Sequence, residues 1–379
     1  MKFTTSVVGS FPRSKTLIDT FNRYNKGQAP KDELDLQIDH AIQETIEEEE
    51  KIGLDVITDG EQGRVSFVTF VGQKIPGMQM QHIREVQPDA LKILRQLNTH
   101  IPYTRAIPVE RLPDDVVLTI DELERIRKYS SKPVKITLPS PYLLMWETWH
   151  KKLSGTVYRE PEELGYVYAK LIRQELVRLR DKGVSTVQID EPMIGNLLEA
   201  TPKEPDRYRR IFGILNEQEY RGFKEELELA IDMVNKAVEG IKDLHISMHI
   251  CHWPNADSPF YGVGVERFLD GLFDINVNQL VLEYATPGSG DPIELVKHYP
   301  QNLQIGYGVI DVRNKKIETV DGIITKVRKI SDYIDPERIW LNPDCGYAPG
   351  MRMPFPRDVA FAKVKSMVEE VLPRLKLLQ

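Results

Sequence analysis

Cysteine is nearly absent from this chain: two residues, Cys251 and Cys345, in 379. Two cysteines exclude a disulfide framework, and in a reducing compartment even a single bridge between them is not expected. Long hydrophobic runs are missing as well. No stretch approaches the ~18–20 apolar residues that span a bilayer, which excludes a membrane span. The opening MKFTTSVVGSFPRS has neither the apolar core nor the small-residue cleavage site of a signal peptide. A cytoplasmic protein without membrane partners is expected. Positive charge is not in excess: the formal net charge is −7, which speaks against nucleic acid as a partner. A glycine-rich phosphate turn is also lacking. GVG at 262–264 and GYG at 306–308 have no dinucleotide-binding context. Short repeats and low-complexity tracts are absent.

What is present is a globular composition, 41% hydrophobic and 28% charged, and a regular alternation. Eight β-branched or aliphatic runs occur: TTSVVGS (4–10), LDVITDGE (54–61), PVKITLPS (133–140), STVQIDEP (185–192), LHISMHIC (244–251), NQLVLEYA (278–285), LQIGYGVID (303–311) and RIWLNPDCG (338–346). Largely continuous apolar runs suit parallel strands covered on both faces. Amphipathic patterns lie between them. Ile38, Ile42, Ile46 and Ile52 recur near the helical period with acids opposite. The stretches 162–183 and 217–240 end in glycine, and a last helix covers about 356–372. Eight strands with crossovers predict an α/β fold, a (β/α)8 (TIM) barrel forming a single domain over 1–379, with an excursion at 62–132 between strands 2 and 3. A doubly wound open sheet is the competing architecture.

Chemistry in such a barrel collects at the C-terminal strand ends. Here those ends carry Ser10, Asp59 and Glu61, Ser140, Asp190 and Glu191, His249 and Cys251, Glu283, Asp311 and Cys345. Residues two apart share a face, so His249 and Cys251 project together. His245 shares their parity but lies low on the strand, as a core residue, and His252 points elsewhere. His249, Cys251, Glu283 and Cys345 form an N/S2/O ligand set suited to Zn2+. Two thiolates and a carboxylate leave such a zinc near −1, poor at activating water but able to hold an incoming thiol as thiolate. A structural zinc and a metal-free apolar cysteine pair are the competing readings. Glu191 is left out of the core set, since about half of the carboxylates near a barrel mouth serve only to orient neighbours.

These residues carry a resemblance. VVGSFPR, GLDVITDGE, QIDEP, HIC, LE at 282–283 and WLNPDCG, in this order, make the chain similar to the C-terminal catalytic barrel of cobalamin-independent methionine synthase. The resemblance implies zinc-dependent methyl transfer to the thiol of homocysteine, giving methionine, with zinc on His249, Cys251, Glu283 and Cys345. It places the amino-acid pocket on Val8, Gly9, Ser10, Glu61 and Asp190. Four departures stand out. The resemblance covers one barrel of a two-barrel enzyme, as in short single-barrel relatives. The segment 252–265 is inserted between Cys251 and Glu283, where it is a candidate lid. The family's folate-contacting positions fall on Asn196, on Arg105 followed by Ala106, and near Trp146. The general-acid histidine falls on Arg313, and a guanidinium is a poor proton donor. The expected donor is therefore a methylcorrinoid, free or protein-bound, or methyltetrahydrofolate. The alternative acceptor is coenzyme M, whose sulfonate offers Glu61 and Asp190 no ammonium. A metal-free barrel lyase similar to uroporphyrinogen decarboxylase and a zinc-binding module without turnover are the readings from other classes.

Overall fold

The computed structural model describes residues 3–86, 104–197, 221–251, 269–350 and 355–377. Its strands are β1 (Thr4–Thr5), β2 (Met78–His82), β3 (Thr104–Pro108), β4 (Lys135–Pro139), β5 (Thr186–Asp190), β6 (His245–Ile250), β7 (Gln279–Leu282), β8 (Gln304–Ile310) and β9 (Ile339–Pro343). Seven of them pair in parallel in the order β1-β9-β8-β7-β6-β5-β4. The gap between β1 and β4 is filled by the run at 54–59. Val56 N–H donates to the Thr5 carbonyl at 3.2 Å, Ile57 N–H to Pro133 at 3.0 Å, and Lys135 N–H to Ile57 at 2.9 Å. Ile57 is bridged in parallel to Val134. The sheet thus closes on itself, and the expected barrel is what forms.

The first two barrel positions are shorter than their sequence runs because side chains take over their backbone groups. Thr5 N–H donates to Asp55 Oδ2 at 2.8 Å, and Thr58 N–H to Glu49 Oε2 at 2.7 Å. Beyond Ser6, whose N–H still donates to the Leu341 carbonyl at 3.2 Å, residues 7–10 and 58–61 bend over the barrel mouth.

Strand parity sorts the remaining residues. Ile136 and Leu138, Val187 and Ile189, Met248 and Ile250, and Leu280 and Leu282 are fully buried apolar residues of one parity. The other parity carries Lys135, Thr137, Gln188, Asp190, Ser247, His249 and Asn342, also buried. The lumen is therefore polar and the apolar parity faces the helix layer, an alternation that the hydrophobic totals of the runs conceal. At the start of β6, His245 is half-buried and stacks on Trp340 (centroids 5.0 Å, planes 4° apart). It plugs the barrel floor rather than filling an apolar core.

Helix stops follow backbone chemistry. Lys31–Ile52 ends at Gly53 with φ +89°, a left-handed conformation that glycine adopts without penalty. Pro161–Asp181 and Phe223–Val238 stop just before Gly183 and Gly240. The last helical segment starts at Arg357, passes through a π-turn at Met367–Val371 and continues to Leu377, beyond the expected end. The excursion contains an antiparallel hairpin, β2 with β3, and the helix Ile120–Arg127. Among the described residues no helix is long and apolar enough to cross a membrane.

GYG at 306–308 has a packing role. A Cβ on Gly308 would stand 2.4 Å from Asp344 Oδ1 and 2.7 Å from the Leu282 carbonyl. Gly308→Ala is expected to destabilise the fold by about 1–3 kcal/mol through overpacking, read as a lower midpoint in urea unfolding.

Candidate active site

Register brings the site together. Asp190 of β5 is level with His249 of β6, and Ile250 with Leu282 of β7, so Cys251 follows β6 beside Glu283. Cys345 comes from the turn after β9. The donor atoms of His249, Cys251 and Cys345 lie within 4.8 Å of one another, all three side chains buried. His249 Nδ1 is 3.1 Å from the Val281 carbonyl. A carbonyl only accepts, so Nδ1 carries the proton and Nε2, buried without a hydrogen bond, is left to ligate. One imidazole nitrogen and two sulfurs form the donor set of a soft, zinc-like ion.

The electrostatics favour a thiolate there. The Cys345 thiol, acting against burial together with the His249 ring, draws Cys251 down to about 5. Cys345, through its hydrogen bond to Cys251 and burial, is pushed well above its usual range. Burial lowers the His249 imidazole, but Cys251, Asp190 and Glu283 overcome it and lift it to about 9. Both shifts run in the direction that moves a proton from Cys251 toward His249, and a bound cation would take the place of that proton.

Glu283 borders the three donors: its charge acts on His249, Cys251 and Cys345, and its Oε1 accepts from Arg313 Nη2 at 2.5 Å. Arg313 also lies 3.5 Å from Asp344 Oδ2 and 3.8 Å from Asp311 Oδ1. Asp344 in turn accepts from Tyr284 and Ala285 N–H at 2.9 and 2.8 Å. Two buried carboxylates around one guanidinium hold it charged, since they overcome the burial that would lower it. Arg313 is therefore no proton donor.

Beside the three donors opens a cleft with about 410 Å3 of empty space, its open mouth included, lined by Val8, Ser10, Glu61, Asp190, His249, Cys251 and Cys345 together with Phe67 and Pro192. Glu61 sits at φ +53°, a left-handed conformation that a non-glycine residue adopts at a cost. Its N–H is tied to Asp59 Oδ1 at 2.8 Å, and its Oε1 accepts from Thr137 Oγ1 at 2.8 Å. Its Oε2 is buried without a hydrogen bond. Gly9 does not line the cleft but makes room for this carboxylate: a Cβ there would stand 2.8 Å from Glu61 Oε1. Ser10 Oγ accepts from Ala348 N–H at 3.2 Å, which leaves its proton to donate. Burial, countered by His249, raises Asp190 to about 7. Glu191 accepts from Ser140 Oγ and from Met193 N–H at 2.8 Å.

Sequence reasoning passed over the floor of this pocket. Lys135 Nζ donates to the Val7 carbonyl and, at 3.0 Å, to Gln188 Oε1. Gln188 Nε2 donates to Asp190 Oδ1 at 2.7 Å and to the Val8 carbonyl at 3.0 Å. Because ammonium only donates, Lys135 fixes which way the Gln188 amide points. Arg64, fully buried, bonds Glu122 at 2.6 Å and Thr137 Oγ1 at 2.8 Å behind Glu61. A lysine inside PVKITLPS and a glutamine inside STVQIDEP were the available signals.

Of the residues at the expected donor positions, Arg105 and Trp146 are not among those lining the cleft. Arg105 Nε donates to the Glu147 carbonyl, and its Nη2 to those of Trp146 and Trp149, capping the helix Pro141–Thr148. Trp146 is buried edge-on to Tyr142. The Asn196 side chain, His252 and the insert at 252–265 lie outside the described residues.

Comparison with known proteins agrees with this fold. The family model for the catalytic domain of cobalamin-independent synthase matches residues 3–95 and 153–371. The methionine synthases of Thermococcus kodakarensis and Sulfolobus acidocaldarius are each 27% identical, over 368 and 370 residues, spanning 97% of this chain and 92% and 91% of theirs. In fold, the chain is similar to the B12-independent methionine synthase from a Shewanella species solved with selenomethionine (TM-score 0.70, 20% identity, 100% and 99% of the two chains). A second solved structure, from Listeria monocytogenes, gives a TM-score of 0.66 at 17% identity, over 100% and 98% of the two chains. With the family model matched over most of its length, this chain belongs to the cobalamin-independent synthase family and is an enzyme carrying that family's catalytic domain.

Proposed function

We propose that this methyltransferase, acting as one catalytic unit over 1–379, is zinc-dependent and methylates the thiol of homocysteine to give methionine. The observation that carries the reading is the abutment of the His249, Cys251 and Cys345 donors on a cleft holding two buried carboxylates, Glu61 and Asp190. Zinc bound by those donors supplies the Lewis acidity that keeps an incoming thiol as thiolate at neutral pH. Glu61 Oε2 and the Asp190 carboxylate receive the substrate ammonium by charge-assisted hydrogen bonds. The Ser10 hydroxyl and the backbone around Gly9 receive its carboxylate. The strands fix these groups before substrate arrives, which favours the in-line approach of the methyl carbon to sulfur.

Among the described residues that line the cleft there is no cation for a sulfonate, and neither Arg313 nor Arg105 is one of them. That supports an amino-acid thiol over coenzyme M. The permanent charge of Arg313 supports a donor whose leaving group needs no proton, a methylcorrinoid, over methyltetrahydrofolate. The test pairs zinc quantification with homocysteine assays using each donor. About one zinc per chain and thiol-dependent methionine formation are expected. A chain without zinc, or one that binds zinc and never methylates homocysteine from either donor, overturns the reading.

A further inference from the structure

Thr137 stands in the middle of β4 on the lumen parity, level with Gln188 of β5. It is buried and is not among the residues lining the cleft. Its neighbour Arg64 is fully buried. Arg64 Nε and Nη2 donate to the two Glu122 oxygens at 3.0 and 2.6 Å, and Nη2 also to the Thr137 carbonyl at 2.8 Å. Nη1 donates to Thr137 Oγ1 at 2.8 Å, whereas its contact with Glu61 Oε1 is long, at 3.5 Å. A guanidinium only donates. The Thr137 oxygen is therefore the acceptor toward Arg64, and its proton is committed to Glu61 Oε1 at 2.8 Å. Gly9 packs on both members of this contact: a Cβ there would stand 2.8 Å from Glu61 Oε1 and 3.0 Å from Thr137 Cγ2. Arg13 Nη2 ties down the backbone by donating to the Glu61 and Arg64 carbonyls at 2.5 and 2.7 Å. Glu61 Oε2 alone stays buried without a hydrogen bond. The adjacent strand repeats the device, with Lys135 orienting Gln188 and Gln188 occupying Asp190 Oδ1.

We propose that Thr137, oriented by Arg64, is a positioning residue for the substrate: its hydroxyl occupies one oxygen of Glu61 and so keeps the other free for an ammonium. The proposal rests on the amino-acid thiol reading above and adds the residue that makes Glu61 selective. Without the hydroxyl, Oε1 has only the arginine to turn to. The carboxylate then closes on Arg64 and is neutralised by the protein rather than by the ligand. Thr137 thus acts through Glu61, and its effect is confined to ligands that carry an ammonium.

Calorimetric binding of methionine and of 4-(methylthio)butanoate, the same molecule without its amino group, tests this without turnover. Wild type, Thr137→Val and Thr137→Ser are compared, each checked for folding by circular dichroism. Valine keeps the shape of threonine and removes the hydroxyl; serine keeps the hydroxyl. Wild type is expected to prefer methionine. Thr137→Val should weaken methionine about tenfold or more and leave the desamino acid within about twofold, since a hydrogen bond to a charged group is at stake. Thr137→Ser should restore methionine binding. KM for homocysteine should follow methionine affinity, with kcat and zinc content held. Unchanged methionine affinity in Thr137→Val, equal weakening of both ligands, or a serine variant as weak as the valine one overturns the proposal. If Thr137→Val does not fold, Thr137→Ala is judged by the same outcomes. A wild type that shows no preference for methionine refutes the amino-acid reading, and this proposal with it, before any variant is made.

Discussion

Cys345→Ser is expected to empty the metal site and stop methyl transfer while the barrel stays folded. Cys345 supplies one of only three convergent donors among the described residues, and a serine hydroxyl is not ionised at neutral pH to replace a thiolate. Zinc affinity should fall by at least about 100-fold, more than the loss of an outer-shell partner usually costs. Turnover should fall by about a thousandfold, some 4 kcal/mol of barrier. Folding is spared because the turn after β9 is anchored on both sides of residue 345. Asp344 N–H donates to the Ile310 carbonyl at 2.9 Å, and Tyr347 N–H to Ser10 at 2.9 Å. Zinc content, homocysteine assay and the urea midpoint, measured on one preparation, separate these effects. A variant that keeps both zinc and turnover removes Cys345 from the site.

Asp190→Asn should instead spare zinc and spoil substrate binding. Asparagine still offers Gln188 an acceptor, so the floor of the pocket survives. Its amide nitrogen then turns toward the substrate ammonium, donor against donor, and a charge-assisted hydrogen bond worth about 1.5–3 kcal/mol is lost. KM for homocysteine is expected to rise about 10–100-fold with zinc stoichiometry unchanged. The pH dependence carries the same signature. Burial places Asp190 at about 7, so it is neutral below that pH and ionised above it. In wild type, KM should climb as pH falls through 7, and in Asp190→Asn that step should vanish. An unchanged KM in the variant, or a KM step that persists in it, assigns the ammonium elsewhere.

The fold was legible because its signal is repeated. Eight runs separated by amphipathic helices allow few architectures, and each run found a barrel position even where only Thr4–Thr5 or the Ile57 bridge pairs as strand. The convergence of His249, Cys251 and Cys345 was readable because it depends on parity and on strand ends, both local properties. The pairing of Glu283 with Arg313 was not readable, because it joins groups 30 residues apart in the sequence. The caps made by Arg105 and the clearance supplied by Gly9 are likewise tertiary facts. The lumen was misleading because strand residues of both parities are buried, so polar Lys135, Gln188 and Ser247 sat unnoticed among aliphatic neighbours.

That polar lumen also bears on how the molecule assembles. Lys135 draws its partners from Val7 near the first strand and Gln188 on the fifth, and the carboxylates nearest its charge are Asp190, Glu49 and Glu61. An arc holding half of the strands would bury this ammonium with some of those groups missing, and unpaired charge in a dry interior is strongly disfavoured. Intermediate arcs are thus unattractive resting places, and closure of the ring is the event that satisfies the interior. The network that orients the substrate pocket at the top of the barrel acts from below as a checkpoint on its completion.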